Sequence, residues 1–143
     1  MILGFFKKNK KNANDNENEL FSKIACLLIH VARIDENYTD KERKIISKTL
    51  LELGEKEENI NKLMIDAENN ERNSNQILEF TKAIKNLNEN KKEKIIETLW
   101  SVIYSDEKAD IYEENLMRRL SGLMYLDNKV VGNIKERIKS KNK

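Results

Sequence analysis

Cysteine and histidine each occur once, at Cys26 and His30, glycine occurs four times and proline not at all. A single cysteine allows no intramolecular disulfide, so a reducing, cytoplasmic setting is the default. A single histidine removes most hydrolytic triads, and nothing resembles a nucleophile elbow, so no enzyme is expected. Four glycines supply no glycine-rich phosphate loop. No run approaches the ~20 apolar residues that a membrane-spanning helix needs. The opening "MILGFFKK" is shorter than the ~7–15-residue apolar core of a signal peptide. Nor is one sign of charge in excess: the net charge is +2, and a strong nucleic-acid binder would show a basic face or stripe. The missing proline, with lysine prevailing over arginine, is the bias of an AT-rich genome and no functional signal.

What is present, 143 residues with 38% apolar and 36% charged side chains, fits one domain able to bury a core. The stretch "KKNKKNANDNENE" (Lys7–Glu19) has no apolar side chain apart from Ala13. It cannot repay its ordering entropy, so residues 1–18 are expected to form a flexible arm ahead of a helical domain over residues 19–140. Phe5, Phe6 and the following lysines suit weak contact of residues 1–8 with a membrane surface. A frayed terminus is the plainer reading, because stable anchoring takes two signals.

From Leu20 onward the apolar residues recur at helical spacing, and strand-like alternation is absent. Phe21, Ile24, Leu28, Val31 and Ala32 form a first stripe, ending near Asp35. "TDKE" predicts a capping box at Thr39 and Glu42 for a second helix, with Ile46, Leu50 and Leu53 inside and Gly54 at its C-terminal cap. A third helix carries Ile60, Leu63, Met64 and Ala67, and the polar "NNERNSN" ends it. Ile77, Phe80 or Thr81, Ile84 and Leu87 mark a fourth helix, and Ile95, Leu99, Trp100 and Ile103 a fifth. A sixth opens at Asp110 and turns Leu116, Leu120, Leu123 and Met124 inward. The seventh follows Asp127 as N-cap and presents Val131, Ile134 and Ile138. The fold class is all-α.

The pattern repeats at an offset of 71 residues. Ile24, Leu28 and Val31 map onto Ile95, Leu99 and Val102; Ile46 and Leu53 onto Met117 and Met124; Ile60, Leu63 and Ala67 onto Val131, Ile134 and Ile138. Apolar periods can align by chance, but a polar pair aligns as well, Asp35 and Glu42 with Asp106 and Glu113. The expected architecture is two three-helix units around a shared core, joined by the fourth helix.

In both "RIDENYTDKER" and "YSDEKADIYEE" an Asp leaves one helix and a Glu stands in the first turn of the next. Carboxylates are hard ligands that suit Ca²⁺, Mg²⁺ or Mn²⁺. If the units pack face to face, Asp35, Glu42, Asp106 and Glu113 combine into one acidic site, with Glu114 and Asp110 nearby. The spacing is not that of an EF-hand, and neither turn contains glycine. A second reading needs no metal: Glu42 and Glu113 each stand three residues after an N-cap candidate, Thr39 and Asp110, where a capping-box Glu belongs, and the aspartates can close Asx-turns.

"SDEKADIYEENLMRRLSGLMYL" resembles the second signature of the tellurite-resistance TerB-like family, through Asp106, Tyr112, Glu113, Glu114, Leu116, Arg118, Arg119 and Leu123. "ARIDENYTDKERKII" is similar to its first, through Ala32, Arg33, Asp35, Glu42 and Arg43. The resemblance covers roughly residues 20–139. It implies a seven-helix, non-enzymatic bacterial module, cytoplasmic or peripheral to the inner membrane, in a tellurite- or metal-stress setting. It also implies a divalent cation held by Asp35, Glu42, Asp106, Glu113 and Glu114. Glu36 and Glu107 stand where the family usually has glycine after each Asp. The alternative is a helical protein-interaction module with purely structural caps; other proteins are the expected partners in either case.

Three further groups have plainer readings. Cys26 and His30 stand four apart, with no second Cys or His to complete a metal shell, and are expected as a core or partly buried pair. Trp100, Tyr104 and Tyr125 are expected in the core, and Tyr112 near the acidic turn. Arg118 and Arg119 can pair with the acidic-turn carboxylates across the bundle or bind an anion, an ordinary ion pair being the plainer role.

Overall fold

Residues 24–29, "IACLLI", contain no charged or strongly polar side chain, and a helix apolar on every face must be wrapped by its neighbours. The computed structural model, which describes residues 19–34, 38–72, 77–105 and 111–141 (the backbone alone for 111–113), places this segment at the centre of the domain. Residues 1–18, expected as a flexible arm, lie outside the described chain. Among the described residues there are seven helices and no strand. They are α1 (residues 19–32), α2 (Asp40–Glu52), α3 (Glu57–Arg72), α4 (Ile77–Ile84), α5 (Glu89–Tyr104), α6 (Ile111–Leu123) and α7 (Asn128–Lys141).

The sequence predicts a one-sided stripe on α1, and here the structure differs. Ile24, Ala25, Cys26, Leu27, Leu28 and Ile29 are all buried, which covers more than a full turn. The helix touches α3 through the Cys26 thiol, which donates to the Ala67 carbonyl at 3.6 Å. It reaches α4 where Lys23 Nζ stands 5.9 Å from the centre of the Phe80 ring. Phe21 packs below the start of the α2–α3 turn at Gly54. A second, mostly buried helix, α5, contributes Ile95, Ile96, Leu99, Trp100, Val102 and Ile103 to the same core, and packs on α2 and α7.

The helix ends follow local chemistry. Thr39 and Glu42 close the expected capping box on α2. Asn88 caps α5 by accepting from the Lys91 amide at 2.9 Å, and Asp127 caps α7 by accepting from the Lys129 amide at 3.0 Å. At the C-terminus of α2, Gly54 N–H donates to Leu51 O and Glu55 N–H to Leu50 O. At the C-terminus of α6, Tyr125 N–H donates to Gly122 O and Leu126 N–H to Ser121 O. Each donor and acceptor of the first pair recurs 71 residues later in the second. Both turns therefore carry a Schellman pair with a left-handed residue, Gly54 at φ 117° and Tyr125 at φ 58°. The turn geometry lifts the Tyr125 ring out of the core where the sequence predicts it; the side chain is 71% exposed, with Lys85 Nζ 5.8 Å from the ring centre.

Candidate functional site

The first acidic turn is bordered by the end of α1 and the start of α2, and α3 clamps both borders. Arg33 donates to the Glu68 carbonyl at 2.9 Å and to the Glu71 carboxylate, and Glu71 also meets His30 Nδ1 at 3.2 Å. On the other side, the Tyr38 hydroxyl donates to Glu68 Oε2 at 2.7 Å and Arg43 Nε donates to the same oxygen at 3.2 Å. The Arg33 guanidinium lies 5.2 Å from the centre of the Tyr38 ring. Burial, and then the bond to the Glu68 carboxylate, push the Tyr38 hydroxyl above its ordinary range. No local sequence signal points to Glu68 or Glu71, because their partners lie 25 to 41 residues away.

Glu42, one of the predicted ligands, opens α2 and is only 2% exposed. Its Oε1 accepts from the Thr39 amide at 2.9 Å and the Thr39 hydroxyl at 3.0 Å, while its own amide donates to Thr39 Oγ1 at 3.1 Å. The carboxylate therefore performs the capping role that its spacing predicts.

The second acidic turn is bordered by the end of α5 and the start of α6. Trp100 and Tyr104 stack in the last turn of α5 with ring centres 5.9 Å apart. Both are buried, as the sequence predicts. Glu114, on α6, accepts from Lys135 Nζ of α7 at 2.8 Å, and that ammonium stands 5.5 Å from the centre of the Trp100 ring. The hydrogen bond to Glu114 raises Lys135 above the ordinary lysine range. Arg118 and Arg119 are exposed, and the side chains of the acidic-turn partners Asp35, Asp106, Asp110 and Glu113 lie outside the described residues. The two arginines sit on the solvent side of α6, whose other face carries Leu116, Met117 and Leu120.

The remaining predicted carboxylates, Asp35, Asp106 and Asp110, lie outside the described residues, as do Glu36 and Glu107; Glu113 and Tyr112 belong to α6, but their side chains also lie outside. Among the described residues no group of three or more His, Cys, Asp or Glu side chains is arranged to hold a metal ion. Cys26 and His30 part company, one bonded to Ala67 and the other to Glu71. The candidate donors are all carboxylates, a chemistry that fits a hard divalent cation and not a thiophilic one.

The pairing of α2 with α5 relates the two borders. Thr49 Oγ1 meets Thr98 Oγ1 at 2.6 Å, and Glu52 pairs with Lys94, so the two helices run antiparallel. One groove between them is lined by Glu52 and Lys94 toward one end and by Lys41 and Ser105 toward the other. Lys41 follows the first acidic turn and Ser105 precedes the second.

Among the described residues, seven helices without a strand, the second opened by a closed capping box, define a helical-bundle module. A family model described as tellurite resistance protein TerB matches residues 21–136. The chain belongs to the TerB family. Comparisons with curated proteins and with solved structures found no match. Among the described residues no helix is long and apolar enough to cross a membrane.

Proposed function

We propose that the chain is a non-enzymatic TerB-family module that takes up a hard divalent cation, Ca²⁺, Mg²⁺ or Mn²⁺, at its two acidic turns. Asp35, Glu42, Asp106 and Glu113 are the proposed ligands, with Glu114 beside them. Its role would be a cytoplasmic one in tellurite or metal stress, exercised through another protein. The supporting observation is the antiparallel α2–α5 pair, which brings Lys41 and Ser105, the borders of the two turns, to the same end of one groove.

A second reading, a protein-interaction module with purely structural caps, draws support from the closed capping box at Thr39 and Glu42. Thermal melting with added Ca²⁺, Mg²⁺ or Mn²⁺ separates the two. A cation that binds only the native state raises Tm by mass action. The cation reading expects a rise in the wild type that is lost in Asp35→Asn/Asp106→Asn. No rise at millimolar cation, or the same rise in the double variant, overturns it in favour of the structural reading.

A further inference from the structure

The cleft between α2 and α5 has a charge pattern of its own. Its volume is about 280 Å³, just below the ~300–1,000 Å³ of drug-sized ligand pockets, and every residue lining it belongs to α2, α5 or the cap of α5. One end holds two carboxylates, and both are occupied. Glu52 pairs with Lys94, and Glu97 pairs with Arg137 of α7 at 3.2 Å. Toward the other end stand Lys41 and Lys48, two turns apart on one side of α2, and neither makes an ion pair among the described residues. Ser101 and Ser105 face them from α5. The cleft therefore carries two surplus ammonium groups at its serine-lined end.

We propose that this end of the cleft binds a dianionic oxyanion, a phosphate that is free or carried by a small monoester. The reading stands apart from the cation at the acidic turns. Lys41 lies in the first turn of α2, directly after Asp40, where the positive end of the helix dipole disfavours an ammonium and favours an anion. An anion held between Lys41 and Lys48 offsets that local conflict. The serines can contribute donors as well. Ser101 Oγ donates to Glu97 O at 2.9 Å, and Ser105 Oγ donates to Val102 O at 2.7 Å. Neither carbonyl depends on the hydroxyl. Val102 O also accepts from the Ser105 amide at 3.3 Å, and Glu97 O, inside the helix, has the amide four residues on. Each hydroxyl is therefore free to turn to a ligand oxygen without orphaning an acceptor. The buried contact of Thr49 with Thr98 forms the floor and fixes the spacing of the two helices. Ile45, half-buried between the lysines, gives an apolar wall for the organic part of a monoester. A phosphate seated here takes charge-assisted bonds from the ammonium groups and neutral ones from the serines.

The measurement is calorimetric titration of the full chain, stripped of divalent cations, at constant ionic strength. Inorganic phosphate and glycerol 3-phosphate are the two probes. The wild type should bind at least one, and the tighter of the two identifies the free or the esterified form. Lys41→Gln/Lys48→Gln should weaken binding about tenfold or more, as expected for the loss of two charge-assisted bonds. Its Tm without phosphate should equal or exceed that of the wild type, because the ammonium opposing the α2 dipole is gone. Lysines that merely support the fold would lower it. Ser101→Asp, which sets a carboxylate before the same lysines, should abolish binding. Lys139→Gln/Lys141→Gln, in the exposed last turn of α7, should bind like the wild type. Absence of binding at up to about 10 mM of either probe overturns the proposal. Undiminished binding or a lowered Tm in Lys41→Gln/Lys48→Gln also overturns it, as does an equal loss in the α7 variant. Working without divalent cations keeps each of these results separate from the cation reading.

Discussion

The hydroxyls of Thr49 and Thr98 meet 2.6 Å apart, both buried, at the crossing of α2 and α5. Each also has a backbone carbonyl of its own helix within reach, Ile45 O at 3.1 Å and Lys94 O at 3.0 Å. Two protons serve three possible bonds, so this contact aligns the helices without leaving either hydroxyl dependent on the other. Through that alignment the borders of both acidic turns come to one end of the bundle.

A valine at either position keeps the shape and removes one hydroxyl. Thr49→Val or Thr98→Val alone should cost about 0.5–1.5 kcal/mol, and the double variant less than the sum of the two, because each single variant already removes the one bond the hydroxyls share. Urea denaturation of the double-mutant cycle reads this directly; strictly additive losses would contradict the shared-proton arrangement.

Glu42 separates capping from ligation. Glutamine also serves at the third position of a capping box, so Glu42→Gln should stay within about 0.5 kcal/mol of the wild type without cation. The same variant should lose most of the cation-induced rise in Tm if the carboxylate is a ligand. Glu42→Ala removes the side-chain half of the capping box while the Thr39 hydroxyl stays on the residue-42 amide, and should cost about 0.5–1.5 kcal/mol in cation-free buffer. A full rise in Tm retained by Glu42→Gln would remove Glu42 from the ligand set.

The glycines should divide by backbone, not by space. A Cβ on Gly54 would stand an ordinary 3.9 Å from the Phe21 ring, yet φ at 117° is strained for any L side chain. Gly54→Ala should therefore cost about 1–2 kcal/mol. Gly132 lies inside α7, and a Cβ added there would meet nothing within 4 Å. Gly132→Ala should gain about 0.5–1 kcal/mol. Chemical denaturation checks both signs.

Cys26 should be inert in the native protein. Burial pushes its thiol up to about 11 from an ordinary 9.0, with Lys23 opposing and Glu71 reinforcing the shift. Thiol reagents at pH 8 should react only as fast as the domain opens, and promptly in denaturant. The folded value lies above the unfolded one, so this contribution to stability is complete below about pH 9 and is lost as pH rises through about 11. Tyr38, raised in the same direction, adds to that alkaline loss. Rapid labelling of the native chain at pH 8 would show that the thiol is accessible.

Much of the architecture is legible locally. The capping box at Thr39, the cap at Asp127, the left-handed turn at Gly54 and the apolar positions of α2 to α7 are short-range matters of hydrogen bonding and helical period, settled within a few residues. The acidic turns and their family signatures are legible in the same way. Three matters are decided only by the tertiary structure. Residues 24–29 of α1 are buried on every side; their apolar composition demands neighbours, but which ones arrive, from α3, α4 and the end of α2, no period within the segment encodes. Tyr125 points to solvent because its position closes a left-handed turn, although its residue type favours the core. Glu68, Glu71 and Lys135 reach the borders of the acidic turns across separations of 21 to 41 residues. Local spacing determines which carboxylates open a helix; helix packing decides which cations face them, because charge pairing depends on distance in space and not along the chain.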